Sequence, residues 1–566
     1  MVRGIGDNRK GIFWFLITSI LITVAFRWPT TYHETGVDSF FIHSLANSVT
    51  QFGDLRWVAN PLSLFGLYPL SYASGIPILL AEFSNMTGLT MEETVLIFSF
   101  LTAIIAALSA FLLGLEIRNS APFAFAISVL FSACPILLFS TEWTTGTRAM
   151  FTAILPFALW TLIRLGKIEY KELHIRKRRE LLFIFVITLF LMAIIHNLFF
   201  MMIVFIIAYF IVKRLLYFQS PLREYFISIK GRKQFLSKYT TLLPIAIIIA
   251  LTIVVANYTG WLNFESFEVG FFKGNSSLDS FLNLITPIAA TLGFPIIFLL
   301  PISIIIVLKS KKKDFTNLFF LVSILFVLPF SGGRTYEKWI YPIVLCLLIL
   351  SPIYLIVSSK NRRRYAKVAI VAILLTLPLN LLIVEHSNRW PESLAINDGI
   401  STSDHVYMTA LYYGNCFNGE YFTSNNEFSY GGVQAYTNCP QMSTGEINLI
   451  LFRIIDNEEM NAELNDIEEF LSKKGSLYSA HLEKSMYEDY GTLLFSRDGP
   501  ATANDLLSRY DIHTFIEDGR IDGKMVGYAG KTLYPIGDNS LPFIDGVHEA
   551  TYKIYDNGID IIWIVR

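Results

Sequence analysis

The residues best placed for chemistry are two acidic side chains that follow the first apolar run of the chain. Glu34 and Asp38 lie directly after that run, in the segment Thr31–Gly53. A carboxylate at the lipid boundary can take a proton from a hydroxyl or hold a divalent cation. If a helix begins at Asp38, apolar residues form one stripe, which favours a helix lying along a membrane surface: Phe41, Leu45, Val49 and Phe52. The alternative is that Asp38 only caps this helix.

Other polar residues near these positions have two interpretations each. Glu142, in the segment Ser140–Arg148, is a candidate metal ligand, and pairing with Arg148 is the alternative. His43 is five residues from Asp38 and therefore off its face of a helix. This spacing favours a position for His43 at the membrane interface over a role as a catalytic partner.

Basic residues at the outer ends of apolar runs are few, and each is a candidate for binding a phosphate. Arg334 lies in a short predicted turn, where its guanidinium can hold a phosphate through two hydrogen bonds. The alternatives for Arg334 are an interfacial anchor or a pair with Glu337. Arg148 is the second candidate. His196 either donates to a phosphate or satisfies the turn between two apolar runs, and the turn is favoured.

The composition indicates that much of the chain lies in lipid. Apolar residues make up 53% of the sequence and charged residues 16%, below the roughly 25% of an ordinary soluble domain. About eleven runs are long enough to span a bilayer as helices, near 11–28, 93–116, 121–140, 150–166, 181–196, 198–217, 241–257, 285–308, 315–331, 339–358 and 367–385. The net charge of -1 excludes a strongly basic protein that coats nucleic acid. Motifs for nucleotide binding, zinc binding and serine nucleophiles are absent from the sequence, which argues against ATP-driven transport and the common soluble chemistries.

The distribution of Lys and Arg predicts the orientation of the chain. The run 11–28 is followed by no small-residue cleavage site and is interpreted as a retained signal anchor. The stretch 62–83 contains several Pro and Gly residues, which favours an irregular surface segment over a spanning helix. If it does not cross, four basic loops lie on the cytoplasmic side with the N-terminus: 164–180, 213–238, 309–313 and 360–367. The C-terminus is then outside the cell membrane.

The sequence therefore predicts two domains. Residues 1–385 form a polytopic α-helical transmembrane domain with a first outer loop at 29–92, and residues 386–566 form a soluble extracytoplasmic α/β domain. In the second domain we predict a helix from Ser403 or Asp404 to Gly414, strands at 420–424 and 433–437, a helix at 457–474 and a hairpin around 556–558. Cys416 and Cys439 are expected to form a disulfide, since the compartment outside the membrane is oxidising.

A recognisable pattern runs through the first outer loop: Asp38-Ser-Phe-Phe-Ile-His43, Ala46, Gly53, Tyr68-Pro69, Ile76-Pro77, and Gly88-Leu-Thr before the second apolar run. This loop resembles that of the GT-C superfamily of glycosyltransferases, which includes protein mannosyltransferases, aminoarabinose transferases and the catalytic subunits of oligosaccharyltransferases. The resemblance covers about residues 1–385 and extends to the number of spans and the outer tail.

The resemblance implies a catalytic acid just after the first span, here Asp38 with Glu34 as a second candidate. The implied donor is a sugar on a polyprenyl phosphate or diphosphate, held at its phosphate by Arg334, Arg148 and His196. A divalent cation, Mg²⁺ or Mn²⁺, would be held by Asp38 and Glu142. The tail lacks the Trp-Trp-Asp-Tyr-Gly motif of oligosaccharyltransferases, so sequon-directed protein N-glycosylation is in doubt.

The leading hypothesis is thus an enzyme of the cell envelope, expected to be archaeal, that moves a sugar from a lipid-linked donor to a protein, glycan or lipid acceptor. The main alternative is a non-catalytic transporter or envelope-assembly protein. Transporters tend to have charged groups at mid-membrane and two related halves, and the sequence has neither. A polysaccharide polymerase or ligase would be expected to carry many basic residues in large outer loops, which are poor in Lys and Arg here.

Overall fold

The computed structural model of the chain describes residues 5–53, 65, 73–167, 175–225, 299–309, 315–327, 339–357, 375–381, 404–417, 420–424, 427–439, 441–442, 508, 512–519, 525–526, 532–534 and 551–565. The chain divides into two compact units. Unit 1 comprises Met1–Trp28, Phe100–Thr141 and Thr147–His386, and unit 2 comprises Pro29–Ser99, Glu142–Gly146 and Ser387–Arg566. The segment that carries Glu34 and Asp38 therefore belongs to the same unit as the C-terminal part of the chain.

The described helices are α1 (Ile5–Ala25), α2 (Val37–Phe52), α3 (Gly75–Thr87), α4 (Met91–Arg118), α5 (Ala121–Ser132), α6 (Pro135–Phe139), α7 (Thr147–Lys167), α8 (Ile175–Ile195), α9 (Met201–Tyr225), α10 (Leu300–Lys309), α11 (Phe315–Val327), α12 (Tyr341–Val357), α13 (Asp404–Cys416) and α14 (Glu427–Thr437). A short 3₁₀ helix, Asn197–Phe200, precedes α9. The described strands are β1 (Tyr421–Ser424), β2 (Gln441–Met442), β3 (Ile512–Asp518), β4 (Met525–Val526), β5 (Thr532–Tyr534), β6 (Thr551–Asp556) and β7 (Asp560–Val565).

Apolar helices of membrane-spanning length are present, as the sequence predicts. Within the described residues, three stretches have the length and apolarity to cross a bilayer: Met91–Arg118, Thr147–Leu165 and Asn197–Arg214. Four shorter apolar helices lie in α1, α5, α11 and α12. The number of about eleven spans and the orientation of the N-terminus stay predictions, since several of the predicted runs, such as 241–257, lie outside the described residues.

The predicted run 121–140 is interrupted rather than continuous. Helix α5 ends at Ser132, Cys134 is extended with φ -71° and ψ 147°, and α6 begins at Pro135. Proline has no N–H to donate, and its ring disfavours the helical conformation of the residue before it. Pro135 therefore starts a new helix instead of continuing α5.

The stretch 62–83 is also more regular than predicted. From Gly75 onward it is the helix α3, whose buried residues include Ile76 and Leu80 and which packs against α2 within unit 2. The 13 residues of α3 are fewer than the roughly 20 that a spanning helix requires. The presence of Pro77 is compatible with this helix because it lies in the first turn, where no helical partner for its N–H is needed.

In unit 1, α1 and α5 run in the same direction and are joined by buried hydroxyl pairs. Ser19 bonds Ser128 at 2.5 Å, and Thr23, one turn later, bonds Ser132 at 2.8 Å. At the end of α1, the buried guanidinium of Arg27 donates to Thr141 Oγ1 at 2.6 Å and to the Ser132 carbonyl at 2.6 Å. These contacts satisfy helix-end carbonyls and fix the point at which the chain leaves α1.

In unit 2, a five-stranded mixed sheet has the order β2-β1-β3-β7-β6. Strands β2, β1 and β3 are parallel, whereas β7 pairs antiparallel with both β3 and β6. Helices α13 and α14 pack on each other, and a buried cluster joins them to the sheet: Val406, Ala410, Tyr413, Phe422, Val433, Cys439, Ile516 and Ile562.

Several local predictions for this part are confirmed, whereas one helix end and one strand are wrong. The strand at 420–424 is β1, the hairpin around 556–558 is β6–β7, and the helix that starts at Asp404 is α13. Helix α13 continues past Gly414 and ends at Cys416. Gly414 does not end the helix but allows close packing against Thr437, since an added Cβ would lie 3.3 Å from Thr437 Cγ2. The predicted strand 433–437 is the second half of the helix α14, whose packing against α2 and α13 overrides the strand preference of its β-branched residues. The predicted helix 457–474 lies outside the described residues.

The predicted disulfide between Cys416 and Cys439 is not formed in the structure, where both are free thiols. Cys416 is exposed at the end of α13, whereas Cys439 is buried and its thiol donates to the carbonyl of Phe417 at 3.4 Å. The packing of Tyr413 and Val433 holds this region together without a covalent link.

Candidate active site

Asp38 is exposed in the first turn of α2, close to the start that the sequence predicts. The residue at the N-cap is Gly36, which has no side chain with which to cap the helix. Asp38 is therefore not the cap, although its negative charge suits the N-terminal end of the helix dipole. Asp38 is thus at the surface of the protein.

Gly36 is the residue that lets α2 start where it does. Its φ of +94° lies in a region that side-chain-bearing residues rarely adopt, and an added Cβ would lie 2.7 Å from Thr144 Oγ1. Glycine thus allows the backbone before Asp38 to approach the segment Glu142–Gly146.

Glu34 has surroundings opposite to those of Asp38. Its carboxylate is fully buried, accepting a hydrogen bond from Ser39 Oγ at 2.5 Å, and its other oxygen lies 2.7 Å from His43 Nδ1. His43 is itself 2% exposed, so it is a buried partner of Glu34 and not an interfacial side chain as predicted. This closed network ties the segment before α2 to the first two turns of the helix.

The segment Glu142–Gly146 is held against the same residues. The Thr35 N–H donates to the Trp143 carbonyl at 2.9 Å, and the Thr145 N–H donates to Ser39 Oγ at 2.8 Å. The buried carboxylate of Glu142 accepts from Thr30 Oγ1 at 2.7 Å. Glu142 is thereby tied to the segment that carries Glu34 and Asp38. Its role as a metal ligand stays a prediction.

Glu92 was not identified from the sequence. It lies in the first turn of α4, beside Glu93, which forms a capping box with Thr90 through contacts of 2.9 and 3.3 Å. Glu92 Oε1 lies 3.2 Å from His33 Nδ1 and accepts from the Glu34 N–H at 3.2 Å and from Tyr436 Oη at 3.3 Å. Its partners are 59 and 344 residues away in the chain, a separation that no local pattern reveals.

Aromatic rings from the C-terminal part surround this group. The ring of His33 stacks on Tyr407 with centroids 3.7 Å apart, and Tyr436 meets Tyr407 edge to face at 5.3 Å. Tyr436 also lies 5.8 Å from the ring of His43. Burial, and to a smaller extent the charge of Glu92, raises the pKa of the Tyr407 hydroxyl above its usual value, so Tyr407 is a neutral aromatic surface.

The predicted phosphate-binding residues lie in other parts of the chain. His196 caps the 3₁₀ helix before α9, with its Nδ1 accepting from the Leu198 N–H at 3.0 Å, which is the turn contact that the sequence favours. Arg148 lies in the first turn of α7 in unit 1. Arg334 lies outside the described residues. A role for these three residues at a phosphate stays a prediction.

The predicted cation ligands are Asp38 and Glu142, which both supply carboxylate oxygens. Among the described residues, no three His, Cys, Asp or Glu side chains are grouped closely enough to hold an ion by themselves. Mg²⁺ is commonly bound through one or two carboxylates together with substrate phosphates, so two carboxylates fit its donor preference.

Comparison with known proteins gives matches in structure alone. No protein-family model and no curated protein sequence matches the chain. The oligosaccharyltransferase of Archaeoglobus fulgidus, tethered to an acceptor peptide containing the NVT sequon, matches with a TM-score of 0.58 and 12% identity, over 90% of this chain and 69% of that one. The same enzyme, AglB, in complex with an inhibitory peptide and a dolichol-phosphate gives a TM-score of 0.53 at 12% identity, over 91% and 70%.

A second protein matches over nearly its whole length. ArnT from Cupriavidus metallidurans, bound to undecaprenyl phosphate, has a TM-score of 0.52 and 9% identity, over 98% of both chains. A further structure of the archaeal enzyme is a complex with Zn and sulfate. At these identities the likeness concerns the fold, which this chain shares with both membrane enzymes.

Proposed function

We propose that this chain, whose fold is that of the GT-C glycosyltransferases, transfers a sugar from a polyprenyl phosphate or diphosphate donor to an acceptor at the outer face of the cell membrane. Two structures of the same fold contain polyprenyl carriers, dolichol-phosphate in one and undecaprenyl phosphate in the other. These ligands support a lipid-linked donor for this chain.

The observation that carries the proposal is the contrast in burial between Asp38 and the neighbouring residues of the helix start. Asp38 is exposed at the start of α2, while Glu34, Ser39 and His43 beside it form a buried network that fixes this helix start. A charged group held by a rigid scaffold but open to solvent is the arrangement expected of a catalytic side chain.

The reaction requires a nucleophile, a leaving phosphate and a place for one proton. The acceptor oxygen bonds to the anomeric carbon of the sugar, the bond from that carbon to the phosphate oxygen breaks, and the phosphate departs with the electron pair. The acceptor proton passes to a base, and Asp38 serves as that base or as a cation ligand. Arg148, Arg334 and His196 are proposed to contact the donor phosphate.

A divalent cation, Mg²⁺ or Mn²⁺, is part of this proposal, with Asp38 and Glu142 as its carboxylate ligands. When bound, it would supply positive charge against the departing phosphate. The tie between Glu142 and the segment before Asp38, through Thr30 and Thr35, supports the pairing of these two residues.

The test is transfer of a radiolabelled sugar from dolichyl and undecaprenyl carriers by the purified full-length protein in lipid. Asp38→Asn keeps the size of the side chain and removes the negative charge, so transfer should fall by about 10²-fold or more. Asp404→Asn is the matched control, since Asp404 is also an exposed acid in the first turn of a helix of unit 2. Near-normal transfer by Asp38→Asn would show that Asp38 is not catalytic. A wild-type protein that transfers from neither carrier would favour the non-catalytic alternative.

A further inference from the structure

His33 has the features of a proton acceptor that is open on one side. Its side chain is 17% exposed, and its Nδ1 lies 3.2 Å from Glu92 Oε1. A carboxylate has only acceptor oxygens, so the imidazole nitrogen facing it must carry the proton. In the neutral imidazole the second ring nitrogen, Nε2, then offers a lone pair, and no hydrogen bond to it is found among the described residues.

The position of this imidazole is fixed from three sides. Glu92, from α4, receives the Glu34 N–H and the Tyr436 hydroxyl in addition to His33. Tyr407, from α13, stacks on the ring at 3.7 Å with an interplanar angle of 22°. Tyr436, from α14, approaches the same ring edge-on at 6.4 Å. An oriented ring with one free nitrogen is pre-organised for proton transfer.

His43 shows that this arrangement is not common to every histidine of the segment. It is also bound through Nδ1 to a glutamate, but it is 2% exposed and enclosed with Glu34. A substrate hydroxyl cannot reach a side chain buried to that extent. Of the two His–Glu pairs, only His33–Glu92 is open to solvent on both members, with exposures of 17% and 16%.

We propose that His33, oriented by Glu92, is the base that accepts the acceptor's proton, and that the acceptor nucleophile is a hydroxyl group. This inference rests on the proposed function, in which Asp38 is either the base or a cation ligand. Here His33 is the base, and Asp38 keeps the electrostatic or cation-binding role. As the acceptor oxygen bonds to the anomeric carbon, its hydrogen moves to His33 Nε2 and the phosphate leaves with the electrons of the broken C–O bond.

The chemistry of imidazole selects the acceptor class. A hydroxyl becomes a better nucleophile as its proton moves to a base of moderate strength, which is the usual role of histidine. The lone pair of a carboxamide nitrogen is delocalised into the carbonyl group and is not available for attack. Imidazole acting as a base therefore does not suffice to make this nitrogen a nucleophile. A sugar, serine, threonine or lipid hydroxyl is therefore the expected acceptor.

The positions of His33 and Asp38 are compatible with a shared reaction centre. Five residues span at most about 18 Å when fully extended. The segment between them is folded back, because the Glu34 carboxylate bonds Ser39 and the Ser39 N–H donates to the Gly36 carbonyl at 2.9 Å. His33 and Asp38 are therefore joined by a folded segment that is shorter than its extended length.

Chemical rescue distinguishes a base from a structural residue. His33→Ala should lower kcat by about 10²-fold or more, and added imidazole should restore part of it at constant pH, because the free base can occupy the slot beside Tyr407. His513→Ala, at an exposed position of β3, is the matched control and should leave transfer unchanged. Glu92→Gln should lower kcat less than His33→Ala, since it keeps a hydrogen-bond acceptor and loses only the charge.

Two further measurements make each outcome decisive. Thermal shifts with undecaprenyl phosphate should show that His33→Ala still binds the lipid phosphate, and a monodisperse elution profile should show that it folds. Normal kcat in His33→Ala, or a loss that imidazole does not restore in folded protein, would overturn the assignment of the base. Transfer to an asparagine side chain of a peptide but to no hydroxyl acceptor would overturn the acceptor class. In either case a defective Asp38→Asn would leave the proposed function standing.

Discussion

Glu34 and Asp38 are residues of one chemical type, four positions apart, that the fold places in opposite surroundings. Glu34 has both carboxylate oxygens in contact with Ser39 and His43 inside the protein, whereas Asp38 is exposed. The sequence identifies both as candidates because their spacing from the first span is similar. It contains one signal that separates them: Ser39 and His43 are four residues apart on one helix face, where together they can enclose a preceding carboxylate.

The buried network predicts different effects for two substitutions of Glu34. Glu34→Ala leaves the side chains of Ser39 and His43 without their acceptor in a buried site, which should lower the free energy of unfolding by roughly 1–3 kcal/mol. Glu34→Gln retains an acceptor oxygen for Ser39 and should lose less. Thermal unfolding of the purified protein in detergent measures both, with Asp38→Asn as an exposed control that should differ little from wild type. Equal stability of Glu34→Ala and wild type would contradict this role.

His33 and Glu92 show where residue-level prediction ends. No local sequence pattern identifies either residue. They are paired by a contact between the beginning of the first outer loop and the start of α4. Tyr407 and Tyr436 come from a part of the chain more than 300 positions away. Only tertiary packing brings such residues together, and a single sequence carries no record of it.

At the scale of elements, the start of α2 depends on the segment Glu142–Gly146. Helix α2 and the apolar helices follow from apolar periodicity and are largely predictable. Helix α14 is not, since Val433, Tyr436 and Thr437 favour a strand by type, yet they lie in a helix that packs against α2 and α13. The backbone conformation of Gly36 is not predictable either, because it depends on the approach to Thr144, which the sequence places in a different loop.

The two glycines that flank α2 provide a matched pair for testing this dependence. Gly36 and Gly53 both have positive φ, +94° and +70°, but an added Cβ meets Thr144 only at Gly36 and finds nothing within 4 Å at Gly53. Gly53→Ala should therefore cost only the conformational strain of about 1–2 kcal/mol and keep transfer activity. Gly36→Ala should cost more and should lower transfer, because the helix start must move away from Glu142–Gly146. Unfolding midpoints and transfer rates of the two variants give the comparison, and equal effects would show that the approach to Thr144 is unimportant.

For the whole molecule, the sequence predicts the class of protein, and the fold supports it through apolar helices and two membrane enzymes of similar structure. Helices α1 and α5 run parallel. Two spanning helices are parallel when one span lies between them in the chain, and α4 would be that span. Composition and hydropathy suffice for this level because the bilayer imposes helix length and apolarity directly. The grouping of the first outer loop with the C-terminal part is a tertiary property, and no local pattern predicts it.

The predicted orientation can be tested with a cysteine that the chain already has. Cys416 is exposed, whereas Cys134, Cys346 and Cys439 are buried, so an impermeant thiol reagent applied to intact cells should label Cys416 if the C-terminal part is outside. Cys416→Ser should abolish this labelling.

In the Cys416→Ser background, a cysteine at Arg178 should be shielded until the membrane is permeabilised, since the cluster Arg176–Arg179 is expected on the cytoplasmic side. A folded protein whose Cys416 stays unlabelled in intact cells but reacts after permeabilisation would place the C-terminal part inside and reverse the orientation. Labelling would also confirm that Cys416 is a free thiol, because a disulfide with Cys439 would prevent the reaction.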